Sequence, residues 1–222
     1  MIKTTRRRVA HRSRHGIMHD ALHLTVRIAM GLPSMRTKAA RRVIVEAIRE
    51  QRGRFDFRIV EFAILSNHMH LIAEACDAKE LGRAMPMRTG LSGRLARGLN
   101  KLWRRKGPVF PDRFHHRVVR KVHELHELHE LRGLVRYVLQ NARRHGIQVP
   151  NNRPDEYSSG PWFPHWHGCD GRTFTAEPRP VEWPGRMELQ CAHRFGIELT
   201  ERPDPAPPLR DPRRRRRLST LA

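Results

Sequence analysis

The stretch from Phe55 to Ala75, FDFRIVEFAILSNHMHLIAEA, decides the fold. Phe55–Leu65 is dense in β-branched and aromatic residues, the types that suit a pleated, half-buried surface. Ser66 and Asn67 are turn formers, and His68–Ala75 returns as a second strand. Strands joined by so short a turn are antiparallel neighbours, so the stretch predicts a hairpin. Upstream, Leu22, Leu24, Val26, Ile28 and Met30 alternate with His23, Thr25, Arg27 and Ala29. A period of two predicts a strand with one buried face, ended by Gly31 and Pro33. Between these strands, Ala40, Val43, Ile44, Ala47 and Ile48 fall at helical spacing, so Thr37–Arg52 reads as an amphipathic helix closed by Gly53. Downstream, residues 79–104 favour helix, with Leu91, Leu95, Leu99 and Leu102 near helical spacing, until Gly107–Pro108 breaks it. Arg117–Lys121 reads as a short strand and residues 123–145 as a last helix ending at Gly146. The order predicts an α+β, ferredoxin-like split βαβ antiparallel sheet with helices on one face, plus extended basic termini.

Charge narrows the function. The 222 residues carry 44 Lys+Arg against 22 Asp+Glu, a formal net charge of +22. Such an excess points to a polyanionic partner, nucleic acid or an anionic surface. No apolar run approaches the roughly 18 residues needed to span a bilayer, so no membrane role is expected. No h-region follows the basic N-terminus, so no secretory signal is expected. Cys76, Cys169 and Cys191 form no C-x-x-C, which fits a reducing compartment and argues against a disulfide scaffold or a thiolate zinc site. Residues 1–20 read as a basic arm, 21–150 as the main domain, 151–202 as a Pro/Trp-containing extension and 203–222 as a disordered Pro/Arg-rich tail. Within the extension, Trp162, Phe163 and Trp166 suggest docking on the main domain.

Half of the net charge is concentrated in residues 83–121, with twelve Lys/Arg and one acid, Asp112. Phosphates would relieve the self-repulsion of such a segment. Arg94, Arg97, Lys101, Arg104, Arg105, Lys106, Arg113, Arg117, Arg120 and Lys121 are the candidate contacts to nucleic acid, with Arg144 further on. Trp103, Phe110 and Phe114 are interleaved with them, and either stack on unpaired bases or belong to the core.

In a strand, His68 and His70 project from one face while Met69 points the other way. Two neutral imidazoles side by side suit one divalent metal, although paired strand histidines also occur without one. In the last helix, Leu131, Leu134, Val135, Val138 and Ala142 make the buried stripe. Tyr137 and Asn141 sit at i, i+4 on its margin, and Arg144 continues that edge. A helix packed on the sheet can bring this phenol and amide over the histidines. The phenol is a potential nucleophile and the amide oxygen a potential metal ligand.

Three stretches together resemble the single-tyrosine, His-hydrophobic-His transposases, and specifically their REP-associated tyrosine transposase branch. They are Ser66-Asn67-His68-Met69-His70-Leu71-Ile72, then Val109-Phe110-Pro111-Asp112-Arg113-Phe114-His115, then Arg136-Tyr137-Val138-Leu139-Gln140-Asn141-Ala142-Arg143. Ser158-Ser159-Gly160-Pro161-Trp162-Phe163 is also like the end of such proteins, so the likeness runs over about residues 18–168. The resemblance implies that His68 and His70 bind Mg²⁺ or Mn²⁺, that Tyr137 is the nucleophile, and that Asn141 stands where the third ligand comes from. It implies cleavage and rejoining of single-stranded DNA near hairpins through a 5′-phosphotyrosine, in a cytoplasmic, nucleoid-associated bacterial protein acting as monomer or homodimer. A free phenol titrates near about pH 10, so metal assistance at the phosphate is part of that expectation.

The likeness is broken at residues 123–131, which read His-Glu-Leu three times where relatives carry one triplet. A three-residue period drifts about 60° per step around a helix of about 3.6 residues per turn, so these histidines do not converge on one metal. A lengthened helix start is the simpler reading. Two other functions fit the same residues: a non-catalytic, domesticated protein that grips structured nucleic acid, and a metal phosphodiesterase that uses water in place of tyrosine.

Overall fold

The computed structural model describes residues 17–119, 125–169, 171–182 and 196–200. Four strands, β1 (Met18–Arg27), β2 (Phe57–Ile64), β3 (His68–Asp77) and β4 (His115–Val119), form one sheet in the order β2-β3-β1-β4. Every neighbouring pair is antiparallel. With α1 (Lys38–Arg49) between β1 and β2, and α2 (Ala78–Ala84) and α3 (Leu91–Leu102) between β3 and β4, this is the split βαβ topology. The fold class is α+β.

Local chemistry sets the boundaries. Thr37 caps α1, its hydroxyl accepting from the Ala40 N–H at 3.2 Å. The single helix predicted over 79–104 is two helices. Pro86 cannot continue α2, and α3 restarts at Gly90. A Cβ at Gly90 would stand 2.4 Å from Pro86 Cδ and 2.5 Å from the Ala84 carbonyl oxygen, so only glycine permits this tight corner. The last helix is likewise divided, into α4 (Leu125–Leu139) and α5 (Asn141–Arg144), at Gln140. The Gln140 side chain leaves the helix line to donate to the carbonyls of Glu198 and Leu199 at 2.9 and 2.8 Å.

The helices do not share one face, as the sequence pattern suggested. Leu22, Leu24 and Val26 of β1 and Met69, Leu71 and Ala73 of β3 pack with the buried residues of α1 and α3 in one core. Ala21, Val60, Ala63, Ile72 and Val119 point from the opposite face into a second core with Leu131, Leu134, Val135 and Val138 of α4. The reason is period two in the strands: both faces carry apolar residues, so both need a cover. The second face turns polar toward one end, where His23, Thr25, His68 and His70 stand.

The segment after α5 is part of the domain. Along the outer side of β2, the Ile64 N–H donates to the Tyr157 carbonyl at 2.8 Å, and the Ser159 N–H to the Phe62 carbonyl at 2.9 Å. Trp162 enters the first core, and Phe163 and Trp166 enter the second. Arg36 binds Asp155 through two parallel hydrogen bonds of 2.8 and 2.9 Å, its side chain 13% and that of Asp155 5% exposed. Asp155→Ala would strand this guanidinium in a nearly dry site. The expected loss is about 3–5 kcal/mol, measurable by urea unfolding.

Candidate active site

Strand register assembles the site on the second face. Thr25 of β1 stands opposite His70 of β3, and Arg27 opposite His68. His68 and His70 are 9% and 5% exposed, with ring centroids 4.9 Å apart, while Met69 is buried on the other face. Tyr137 of α4 lies over them: its ring is 5.3 Å from that of His70 and 5.7 Å from that of His23, edge-on to both. The Arg144 guanidinium sits 5.3 Å from the centre of the Tyr137 ring. Asn141 is fully buried one turn on, its amide N–H donating to the Tyr137 carbonyl at 3.3 Å. The helix therefore delivers phenol and amide to the side of the sheet that carries the imidazoles.

The hydrogen bonds orient these groups. His68 Nδ1 donates to the Asn67 side-chain oxygen at 2.7 Å, which places its lone pair on Nε2. His70 Nδ1 meets His23 Nε2 at 2.9 Å and Thr25 Oγ1 at 3.2 Å. His70 Nε2 and Asn141 Oδ1 are buried with no hydrogen-bond partner among the described residues. A buried polar atom of this kind can take a ligand as its partner. Among the described residues no three His, Cys, Asp or Glu side chains are placed to hold a metal. Imidazole nitrogens and an amide oxygen are donor types that a divalent cation accepts.

Burial, more than any other cause, holds all three imidazoles neutral. It draws His23 from 6.5 to about 4, helped by Arg117. It draws His68 to about 4, helped by His145 and Arg27. It draws His70 to about 2, helped by His23, His68, His145 and Arg144. The charged neighbours that act on these rings are Arg27, Arg117 and Arg144, all cations, which suits the site to an anion. Between pH 6.5 and those lowered values the unfolded chain takes up protons that the folded one excludes. Their contribution to stability is therefore full above pH 6.5 and is lost as acid is added. Thermal melts from about pH 7 to about pH 4.5 should show a falling midpoint, and His70→Asn should flatten the fall.

The basic residues divide. Arg97, Lys101, Arg104, Lys106 and Arg113 are exposed. Arg94 does not share their surface: its side chain is 10% exposed and held by Gln51, Glu50 and the Thr89 carbonyl. Arg105 turns back onto Asn100 at 2.6 Å. Arg117 pairs with Glu130, and Arg144 reaches the tyrosine. Arg120 and Lys121 lie outside the described residues, as does His123, the first histidine of the His-Glu-Leu repeat. Although α3 packs on the far face of the sheet, the loop after it comes round to the histidine end. There the Ala29 N–H donates to the Val109 carbonyl at 2.8 Å, and the Ile28 N–H to the Asn67 carbonyl at 2.9 Å. Of the interleaved aromatics, Phe110 is a core residue, 6% exposed, and Trp103 and Phe114 are partly buried against the first core.

A solved transposase shares this fold. It is a REP-associated tyrosine transposase bound to a REP hairpin, with a TM-score of 0.53 and 14% identity, over 80% of this chain and 96% of that one. At that identity the likeness establishes architecture. No family model matches the chain, and no curated protein does.

Two site residues escaped the sequence reading. His23 alternates with Leu22 and Leu24, which puts it on the face opposite the first core, but only the β1–β3 register brings it to His70. His145 lies four residues beyond Asn141, on the ridge that begins at Tyr137, and its ring comes within 5.7 Å of that of His68.

Proposed function

We propose that this protein is a metal-dependent single-strand DNA transposase that cleaves and rejoins DNA near hairpins through a 5′-phosphotyrosine on Tyr137. One observation carries the reading: the Tyr137 ring lies 5.3 Å from that of His70, on the same side of the sheet as the two orphaned atoms His70 Nε2 and Asn141 Oδ1. His68, His70 and Asn141 would hold Mg²⁺ or Mn²⁺, which when bound polarises the non-bridging oxygens of a phosphodiester. Arg144 and Arg27 would supply the positive field that draws the phosphate in. Tyr137 Oη then attacks phosphorus as the bond to the 3′ oxygen breaks. The phenol gives up a proton and the departing 3′ oxygen gains one, so the strand ends in a 3′-hydroxyl and a phosphotyrosine. The phosphoester is conserved, so a second 3′-hydroxyl can displace Tyr137 and reseal DNA with no nucleotide cofactor. An in-line attack needs a phosphate free to turn, which favours an unpaired strand. The exposed cations Arg104, Lys106 and Arg113, on the loop whose Val109 meets Ala29, suit the backbone of an adjoining hairpin.

The test is incubation of the full chain with labelled hairpin oligonucleotides and Mn²⁺, followed by a denaturing gel. A shifted, protease-sensitive band is the expected result. Cut DNA with no attached protein would point to hydrolysis by water. Bound but uncut DNA would point to a domesticated binding protein.

A further inference from the structure

The two histidines on β3 are oriented by different partners. His68 Nδ1 is held by an amide oxygen, which can only accept, so its tautomer is fixed. His70 Nδ1 faces His23 Nε2 at 2.9 Å, a nitrogen able to accept or donate. The use to which His70 Nε2 can be put breaks the tie. Nε2 is buried with no partner among the described residues in either tautomer, but an N–H there could not meet a cation, whereas a lone pair could. If the proton is on Nδ1, it is given to His23 Nε2, and the Nε2 lone pair is turned into the site beside Tyr137.

We propose that His23 is a positioning residue that sets the tautomer of His70, so that Nε2 presents a lone pair for a cation. The inference rests on the functional reading above, and the tautomer is tested without metal or DNA. Outer partners of histidine ligands are worth about 10–100-fold in metal affinity. His23 is well placed for that part: the two rings lie 5.0 Å apart, and its strand fixes it beside β3 through Thr25↔His70 and His23↔Ile72. Thr25 Oγ1, at 3.2 Å, is the longer and weaker contact.

The tautomer is read directly by ¹⁵N-resolved imidazole NMR on the full chain without metal or DNA. The expected result is Nδ1–H on His70 in the wild type, lost in His23→Phe and kept in His23→Gln, whose amide oxygen still accepts. Mn²⁺ titration followed by electron paramagnetic resonance should show about 10–100-fold weaker binding in His23→Phe and near-normal binding in His23→Gln. An Nε2–H on wild-type His70, or a tautomer or Mn²⁺ affinity unchanged in His23→Phe, overturns the assignment. If His23→Phe does not fold, Thr25→Val decides: Nδ1–H retained supports His23 as the partner, and Nδ1–H lost transfers the part to Thr25. Absence of Mn²⁺ binding by the wild type would remove the metal from the proposed function, while the tautomer would still decide the part assigned to His23.

Discussion

Tyr137→Phe should abolish the covalent protein–DNA adduct and lower strand cleavage by at least about 10⁴-fold, the scale expected when a nucleophile is deleted. Hairpin binding should stay within a few-fold of wild type. The change removes one oxygen and keeps the ring that packs edge-on against His70 and His23, so the helix and its core are left in place. The chain offers a clean control, because it has two tyrosines. Tyr157 packs against the first core under the Arg36 guanidinium, 4.4 Å from its ring centre, away from the histidines. Tyr157→Phe should therefore leave the adduct intact. Peptide mapping that found the DNA on Tyr157, or an adduct persisting in Tyr137→Phe, would defeat the nucleophile assignment.

The second large effect is expected from removing the proposed cation. His70→Ala or His68→Ala should reduce cleavage by about 10³-fold, since Lewis-acid assistance is worth several kcal/mol and each 1.4 kcal/mol is about tenfold. Chelation with EDTA should do the same to the wild type, and added Mn²⁺ should restore it. Asn141→Ala is expected to behave similarly, because its buried amide oxygen has no other partner among the described residues. DNA retention on a native gel should persist in all three variants, since the exposed arginines and lysines are untouched. Purified protein that nicks DNA equally well in excess EDTA would exclude the metal.

How much of this was legible in the sequence follows from which forces are local. The β2–β3 hairpin could be read from Phe55–Ala75 because turn chemistry and strand pattern agree there. The facing of His68 against Met69 followed from period two alone. The i, i+4 relation of Tyr137 and Asn141 followed from helix geometry and survives the break at Gln140. What could not be read was which sheet face α4 covers. That depends on Ala21, Val60, Ala63 and Ile72 summing to a second apolar surface across three strands. His23 was hidden for the same reason, since its partner is 47 residues away. Arg94 looked like its cationic neighbours, and only the packing of α3 on α1 ties it to Gln51.

The bonding of Tyr157 and Ser159 to the outer side of β2 bears on how copies of the chain can meet. A border strand with unpaired amides is a template for self-association, and here that template is already used up by the chain's own later residues. Head-to-head sheet extension through β2 would first have to peel away a segment anchored by Asp155 and Trp162. The opposite border, β4, carries His115, His116 and Arg117 and lies beside the strand that bears His23. A strand added along that border would lie at the margin next to His23 and His70.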